Sequence, residues 1–311
     1  MSFWEKFVKF ISPRGKEEPK PRMPITSELP APSGESDASA SASLELEICL
    51  QTDLGSVRAN NEDRGIYRRP TDPELAASKG TLVMVADGMG GASAGEIASE
   101  MAIRVVPDLY YNSLKPPALA LKEALEAASK DIHRAAQADP ERIGMGTTCV
   151  AVAIITPQVY VAYVGDSRLY MLRDDGFYQL TEDHTVVGDM VRKGIITREQ
   201  ARRHEERNVL SLSLGGRPEI TASHWEKPMI LRAGDRLLLC SDGLHDLVSD
   251  SEMQAIIAGA PTHVAVQELI DAAKRNGGHD NITAGLVHAF VPVANGDAIS
   301  KPTREILISS E

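Results

Sequence analysis

The sequence has no run of about 18 consecutive apolar residues, so no segment of it can cross a bilayer as a helix. It also lacks an excess of basic residues. Lys and Arg number 33 against 44 Asp and Glu, a formal net charge of -11, and this argues against nucleic acid as the main partner because phosphate backbones require a basic face. Cysteine is scarce and odd in number: Cys49, Cys149 and Cys240 are scattered, with neither a disulfide framework nor zinc-type spacing. Cys149 and Cys240 sit in strand-like runs and read as small buried apolar residues. A reducing, cytoplasmic setting is expected. No internal repeat is present. What remains is a chain of 311 residues, 42% hydrophobic, with enough apolar material for a real core in one large domain or two ordinary ones.

Within that chain, one arrangement recurs. In TLVMVADGMGG an apolar, partly β-branched run stops at Asp87 and glycines follow. VYVAYVGDSRLYML sets Asp166 between two apolar runs, DRLLLCSDGLHDLV sets Asp242 after LLLC, and GGHDNITAGLVHAF sets Asp280 ahead of another. A single Asp-Gly after a strand is a turn. Four aspartates at strand ends, each beside glycine and each from a distant segment, predict one site. Converging carboxylates repel one another and resist desolvation unless cations neutralise them. An oxygen-only donor set suits Mg²⁺ or Mn²⁺ rather than zinc.

The chain divides by composition. In residues 1–12, Phe3, Trp4, Phe7, Val8, Phe10 and Ile11 share one face of a helical wheel, and Glu5, Lys6 and Lys9 share the other. The segment is too short to span a membrane, Lys6 and Lys9 interrupt any signal-peptide core, and the residues leave open docking on a membrane surface, docking in a partner groove, or packing back on its own domain or fraying. Residues 13–43, rich in Pro, Ser, Ala and Glu, predict a disordered linker, residues 44–292 a single domain, and residues 293–311 a polar tail. In the domain LELEICLQTD, RGIYRR and TLVMVAD predict strands. AGEIASEMAIRVVPDLYYNSL and PALALKEALEAASKDIHRAAQAD have helical spacing. TTCVAVAIIT, VYVAYVGD, SRLYMLR and FYQLTED are four strand-like runs with short connections, which predict antiparallel hairpins. DSEMQAIIAG and PTHVAVQELIDAAKRNGG are helical again. Long helices grouped apart from antiparallel strands imply an α+β layered fold.

A second polar cluster lies in TDLGSVRANNEDRGIY, where Arg58, Glu62 and Asp63 share a Gly/Asn-rich bend. A solvated turn with a surface ion pair accounts for it equally well unless a phosphate is present, since Arg offers phosphate a planar bidentate fork. DHTVVGDMVRKGIITREQARRHEERN predicts a helix closed by Gly194 and a second opening at Thr197, with Gln200 completing a capping box.

The ordered set RANNED, VADGMGG, GMGTT, VGDSR, LTEDHT, CSDGL and GGHDNIT resembles the metal-dependent serine/threonine protein phosphatases of type 2C, most of all their compact bacterial members. The resemblance runs from about Leu46 to Phe290. It implies a four-layer α-β-β-α sandwich, two antiparallel sheets with helices on both outer faces. It implies that Asp87 bridges two metal ions, that Gly88 offers its backbone carbonyl to one, and that Asp242 and Asp280 hold the other. By the same resemblance Glu62 and Asp63 act largely through bound water, Arg58 binds phosphate, and Asp166 shares with Asp242 a third, weaker ion. The flap beside the active site, where substrate choice varies in the family, falls at about residues 183–216.

The implied reaction is in-line hydrolysis of a phosphomonoester by a water bridging two divalent ions, Mn²⁺ or Mg²⁺, with no covalent phosphoenzyme. Some family members carry a histidine where this chain has Met89, which leaves the general acid unassigned. His184, His245 and His279 read as hydrogen-bonded loop residues. The implied partners are phosphoserine and phosphothreonine proteins, substrates of a cognate kinase, and a monomer is expected. Three rival readings are weaker. An aspartyl-phosphate phosphatase requires a second acid that VADGMGG lacks. A histidine-rich two-metal phosphoesterase requires strand-end histidines that are missing. A catalytically weak scaffold or phosphate-sensing module on the same fold is expected to have lost some of the acids, and all are present.

Overall fold

The computed structural model describes residues 44–90 and 94–292. The expected amphipathic segment 1–12, the linker 13–43 and the tail 293–311 lie outside the described residues. Twelve strands among the described residues form two sheets. The first sheet has the order β1 (Glu45–Asp53), β12 (Ile282–Phe290), β11 (Arg236–Cys240), β7 (Arg168–Arg173) and β8 (Gly176–Gln179). The second runs β10 (Met229–Ile230), β6 (Gln158–Val164), β5 (Cys149–Ile155), β3 (Thr81–Met89) and β2 (Asp63–Arg68), with β4 (Gly146–Thr147) on β3 and β9 (Ser223–His224) on β6. Every pairing is antiparallel.

Burial explains why the strands read as continuous apolar runs. Alternate residues of a strand face opposite sides of its sheet, and here both sides are covered. Val83 and Val85 of β3 join Val150, Val152, Leu169, Met171, Leu237 and Leu239 between the sheets. Their neighbours Leu82, Met84 and Ala86 turn outward onto the helices α2 (Ala94–Asn112) and α3 (Pro117–Ala138), meeting Ala98, Ala102, Val106, Leu121 and Leu125. On the far side Tyr170, Leu172, Leu238 and Leu286 pack against α7 (Asp250–Gly259) and α8 (Thr262–Arg275) through Met253, Ile257, Val266 and Leu269. Three apolar layers between four structural layers make the α-β-β-α sandwich that the family resemblance implied.

The structure departs from expectation in three places. VYVAYVGD and SRLYMLR do not form a hairpin: β6 belongs to the second sheet and β7 to the first, and residues 165–167 carry the chain across. A short connection satisfies antiparallel pairing only when both strands share a sheet, and this one changes layers. The strand of TLVMVA continues past Asp87, because Gly88 and Met89 pair with Thr147 and Gly146. FYQLTED contributes only Gly176–Gln179 to a strand. The short helices α1 (Pro73–Lys79) and α6 (Asp242–His245) had no periodic signal in the sequence. The expected pair in the flap is present as α4 (Val186–Arg192) and α5 (Arg198–Arg202), the second opened by the Thr197–Gln200 capping box.

Candidate active site

Each acid arrives from a different element. Asp63 opens β2 and stands opposite Asp87 of β3 in the antiparallel register. Asp166 lies in the crossing from β6 to β7, Asp242 begins α6 where β11 ends, and Asp280 precedes β12. Arg58, Glu62, Asp87, Gly88, Asp166, Asp242 and Asp280 line one cleft of about 640 Å³, joined by Met89, Thr148, Leu212 and Arg217 among others. Asp63 does not reach the cleft. It is 1% exposed, and its Oδ2 accepts hydrogen bonds of 2.7 Å from both Ser241 Oγ and Thr283 Oγ1, which ties β2 to the strands of the opposite sheet beneath the acids.

The electrostatics of the acids are unfavourable as the chain stands. Burial, then the charges of Asp63, Asp242, Asp166 and Asp280, hold the Asp87 carboxyl well above the usual carboxylate range. Burial and then Asp242 and Asp183 do the same to Asp166. Burial raises Asp242, with Asp246 and Asp280 adding to it and His245 opposing. Asp63 is pushed up to about 7 by burial, against the two hydroxyl hydrogen bonds that favour its charged form. Asp242 Oδ1 is buried with no hydrogen-bond partner. A buried anion cluster with an unsatisfied oxygen is costly unless cations or protons neutralise it. The residues therefore fit hard divalent ions. No three Asp, Glu, His or Cys groups among the described residues close around a common point. The acids line an open cleft, which suits Mg²⁺ or Mn²⁺, ions that keep several waters. One donor is engaged elsewhere, since Arg58 Nη2 lies 2.6 Å from Asp280 Oδ2.

The frame that holds these groups was only partly visible in the sequence. Asn281 is its hub: Oδ1 accepts from Glu62 N at 2.8 Å, and Nδ2 donates to the carbonyls of Leu54 and Asn60, each at 3.0 Å. The Asn281 amide also donates to Asp280 Oδ1 at 2.8 Å. One asparagine thus fixes the bend that carries Arg58 and Glu62 to the acid that Arg58 pairs with. Thr148 Oγ1 accepts from Asp87 N at 3.1 Å and meets Ser167 Oγ at 2.6 Å, linking the strand of Asp87 to the crossing of Asp166. Polar residues inside apolar strand runs (Thr148, Ser241, Thr283) were the available signal. Gly88 is required for close packing: a Cβ there would collide with the Gly95 carbonyl at the start of α2 and lie 2.7 Å from Glu62 O.

None of the three histidines near the motifs lines the cleft. His184 Nδ1 accepts from Gly165 N at 3.0 Å, its Nε2 is 3.0 Å from Ser223 Oγ, and its ring stacks on Tyr163. His245 Nε2 donates to the Asp166 carbonyl at 3.0 Å. Of the flap, the two helices contribute no cleft residue. Its C-terminal stretch does, through Asn208, Leu210, Ser211, Leu212, Ser213 and Gly216.

A two-sheet sandwich with helices on both outer faces and a cleft of convergent acids at one edge describes a metal-dependent phosphatase fold. The family model described as Protein phosphatase 2C matches residues 74–272. The chain belongs to that family. It is 37% identical over 255 residues to a protein named serine/threonine phosphatase stp from Listeria innocua, covering 80% of this chain and 98% of the relative. It is 36% identical over 246 residues to the protein phosphatase PhpP of Streptococcus pneumoniae, covering 78% and 96%. Among solved structures, the Mycobacterium tuberculosis serine/threonine phosphatase PstP/Ppp superposes with a TM-score of 0.69 at 34% identity, covering 78% of this chain and 98% of that one. A structure of the PstP catalytic domain in complex with two manganese ions gives 0.68 at 34% identity, covering 79% and 99%.

Proposed function

We infer that this chain is a serine/threonine phosphoprotein phosphatase that hydrolyses phosphomonoesters with two Mn²⁺ or Mg²⁺ ions. The carrying observation is the convergence of Asp87, Asp166, Asp242 and Asp280 with Arg58 in one open cleft. Asp87, the Gly88 carbonyl, Asp242 and Asp280 would hold the ions, with Glu62 acting through water. Bound divalent ions supply neutralisation of the acids and the acidification of the attacking water. Arg58 presents its guanidinium to the non-bridging phosphate oxygens, in a position fixed by Asn281 through the 54–62 bend. Thr148 and Ser167 keep Asp87 and Asp166 in fixed relation while charge moves between water and leaving group. Asp166 is proposed to support a third, weaker ion with Asp242.

Asp63 supports the pocket from below, bonded to Ser241 and Thr283 rather than facing a ligand. Its proposed part is to keep the two sheets in register under Asp87. The proposed substrates are phosphoserine and phosphothreonine proteins, products of a Ser/Thr kinase. No helix among the described residues is long and apolar enough to cross a membrane. Docking through residues 1–12 remains the proposed route to any surface. Hydrolysis of p-nitrophenyl phosphate and of a phosphothreonine peptide, with Mn²⁺ and with excess EDTA, tests the reading. Turnover only with the metal supports it, and equal turnover in EDTA refutes it.

A further inference from the structure

Arg217 lines the cleft and has no role in the chemistry above. Its side chain is exposed. Its Nη2 donates to the Ser211 carbonyl at 2.8 Å, and no carboxylate among the described residues pairs with it. The other cleft guanidinium, Arg58, stands among the acids and is paired with Asp280. An arginine has five N–H donors, and a single carbonyl leaves most of the Arg217 fork available. In a chain of net charge -11, an unpaired guanidinium facing a cleft is a local exception.

The platform beneath Arg217 is firmly built. Leu214 and Thr147 exchange both backbone hydrogen bonds, 2.8 and 3.0 Å, and Thr147 pairs in turn with Gly88 at the floor of the cleft. Gly215 then donates to Ser129 Oγ at 3.0 Å and accepts from His133 Nδ1 at 2.9 Å, both on α3. Its φ of +84° and the Ile132 side chain where a Cβ would sit demand glycine at that turn. The chain emerges two residues later at Arg217, and the bond to Ser211 holds the guanidinium back along the cleft wall. A fork held on a rigid wall, with no carboxylate partner among the described residues, suits a planar carboxylate that arrives with the substrate.

We propose that Arg217 is a specificity-determining residue that binds an Asp or Glu side chain flanking the phosphorylated residue of a protein substrate. The proposal rests on the phosphatase reading. Without such an anchor an acidic substrate would be disfavoured by the charge of the chain.

Three phosphothreonine peptides that differ only in acidic, neutral or basic flanking residues test it, with p-nitrophenyl phosphate as a fourth substrate. The wild type is expected to favour the acidic over the basic peptide by about three- to tenfold in kcat/KM, the scale of a partly exposed ion pair. Arg217→Glu is expected to invert that order, and Arg217→Lys to keep its sign at reduced size. The acidic-to-basic ratio is internal to each variant, so a general loss of activity leaves it unmoved. An unchanged ratio in Arg217→Glu, or an equal fall on all four substrates, overturns the proposal. A wild type that cleaves none of the four overturns the phosphatase reading and this proposal with it.

Discussion

Arg58 and Asp280, 222 positions apart in the sequence, meet through an Nη2–Oδ2 contact of 2.6 Å at the mouth of the cleft. The group expected to grip phosphate and a group expected to hold a cation are thus paired with each other. Both are well exposed, so the pair is worth little as a stability element. Its meaning is competition. A cation held by Asp280 would take that carboxylate from the guanidinium and leave the fork free for phosphate oxygens. Arg58→Ala should therefore lower kcat/KM for a phosphopeptide by about tenfold or more, while Mn²⁺ binding measured by calorimetry is kept or tightened a few-fold. Unchanged kinetics would make Arg58 a turn residue only.

Asp87→Ala removes the acid at the centre of the cluster. Loss of several powers of ten in kcat is expected, with cooperative unfolding retained, because the substitution relieves a buried repulsion rather than opening a core. Activity within tenfold of the wild type would remove Asp87 from the metal site.

The metal-free acids give a signed pH dependence. The folded-state pKa values of Asp87, Asp166 and Asp242 are raised above their unfolded values. Their folded forms hold protons that the unfolded chain has released, so this part of the stability is present at low pH and is lost as pH rises through the folded pKa values. Mn²⁺ bound by these carboxylates would take the place of those protons. The rise in Tm on adding saturating Mn²⁺ should therefore grow as pH is raised above the ordinary carboxylate range. A rise independent of pH would contradict the buried, mutually repelling arrangement.

His184 acts in the opposite sense. Burial holds its imidazole down to about 4, in keeping with Nδ1 accepting the Gly165 amide. Below the unfolded value of about 6.5 the unfolded chain takes up a proton that the fold refuses, so stability falls as pH drops through that window, by at most about 3 kcal/mol. Urea unfolding between pH 7 and 5 should show a shallower pH slope in His184→Asn than in the wild type. Parallel slopes would show that the imidazole titrates normally.

Asp166→Asn is expected to keep two tight Mn²⁺ ions by calorimetry while losing much of kcat on phosphoprotein. The side chain lies in the crossing between sheets, with its carbonyl held by His245. Near-normal turnover across the whole range of metal concentration would reduce Asp166 to a turn residue.

The layered fold was legible because β3, β5 and β6 are buried on both faces and so announce themselves as apolar runs. The cleft was legible because the same event, an aspartate at one end of an apolar run, occurs at Asp87, Asp166, Asp242 and Asp280. Sheet membership was not. The connection from Val164 to Arg168 is as short as a hairpin turn, and only the tertiary pairing reveals that it changes sheets. Nor was the supporting frame, because Asn281, Ser241 and Thr283 act on partners around 200 residues away. Asp63 shows the limit most plainly: Glu62, in the bend before β2, lines the cleft, while Asp63, the first residue of that strand, is buried against Ser241 and Thr283.

The crossings between sheets have a kinetic consequence. The chain changes sheet between β1 and β2, between β6 and β7, between β8 and β9, and between β10 and β11. Neither sheet is a continuous stretch of sequence, and β1 closes only on β12, the last strand to be synthesised among those described. Non-local closure of this kind is slow. On a ribosome, the domain must wait for residues beyond 280 before β1 finds its partner, and Arg58 its counter-ion. Until then the chain contains the residues of most helices and strands but not a complete active centre, so enzymatic activity is a late and complete report that the whole sandwich has closed.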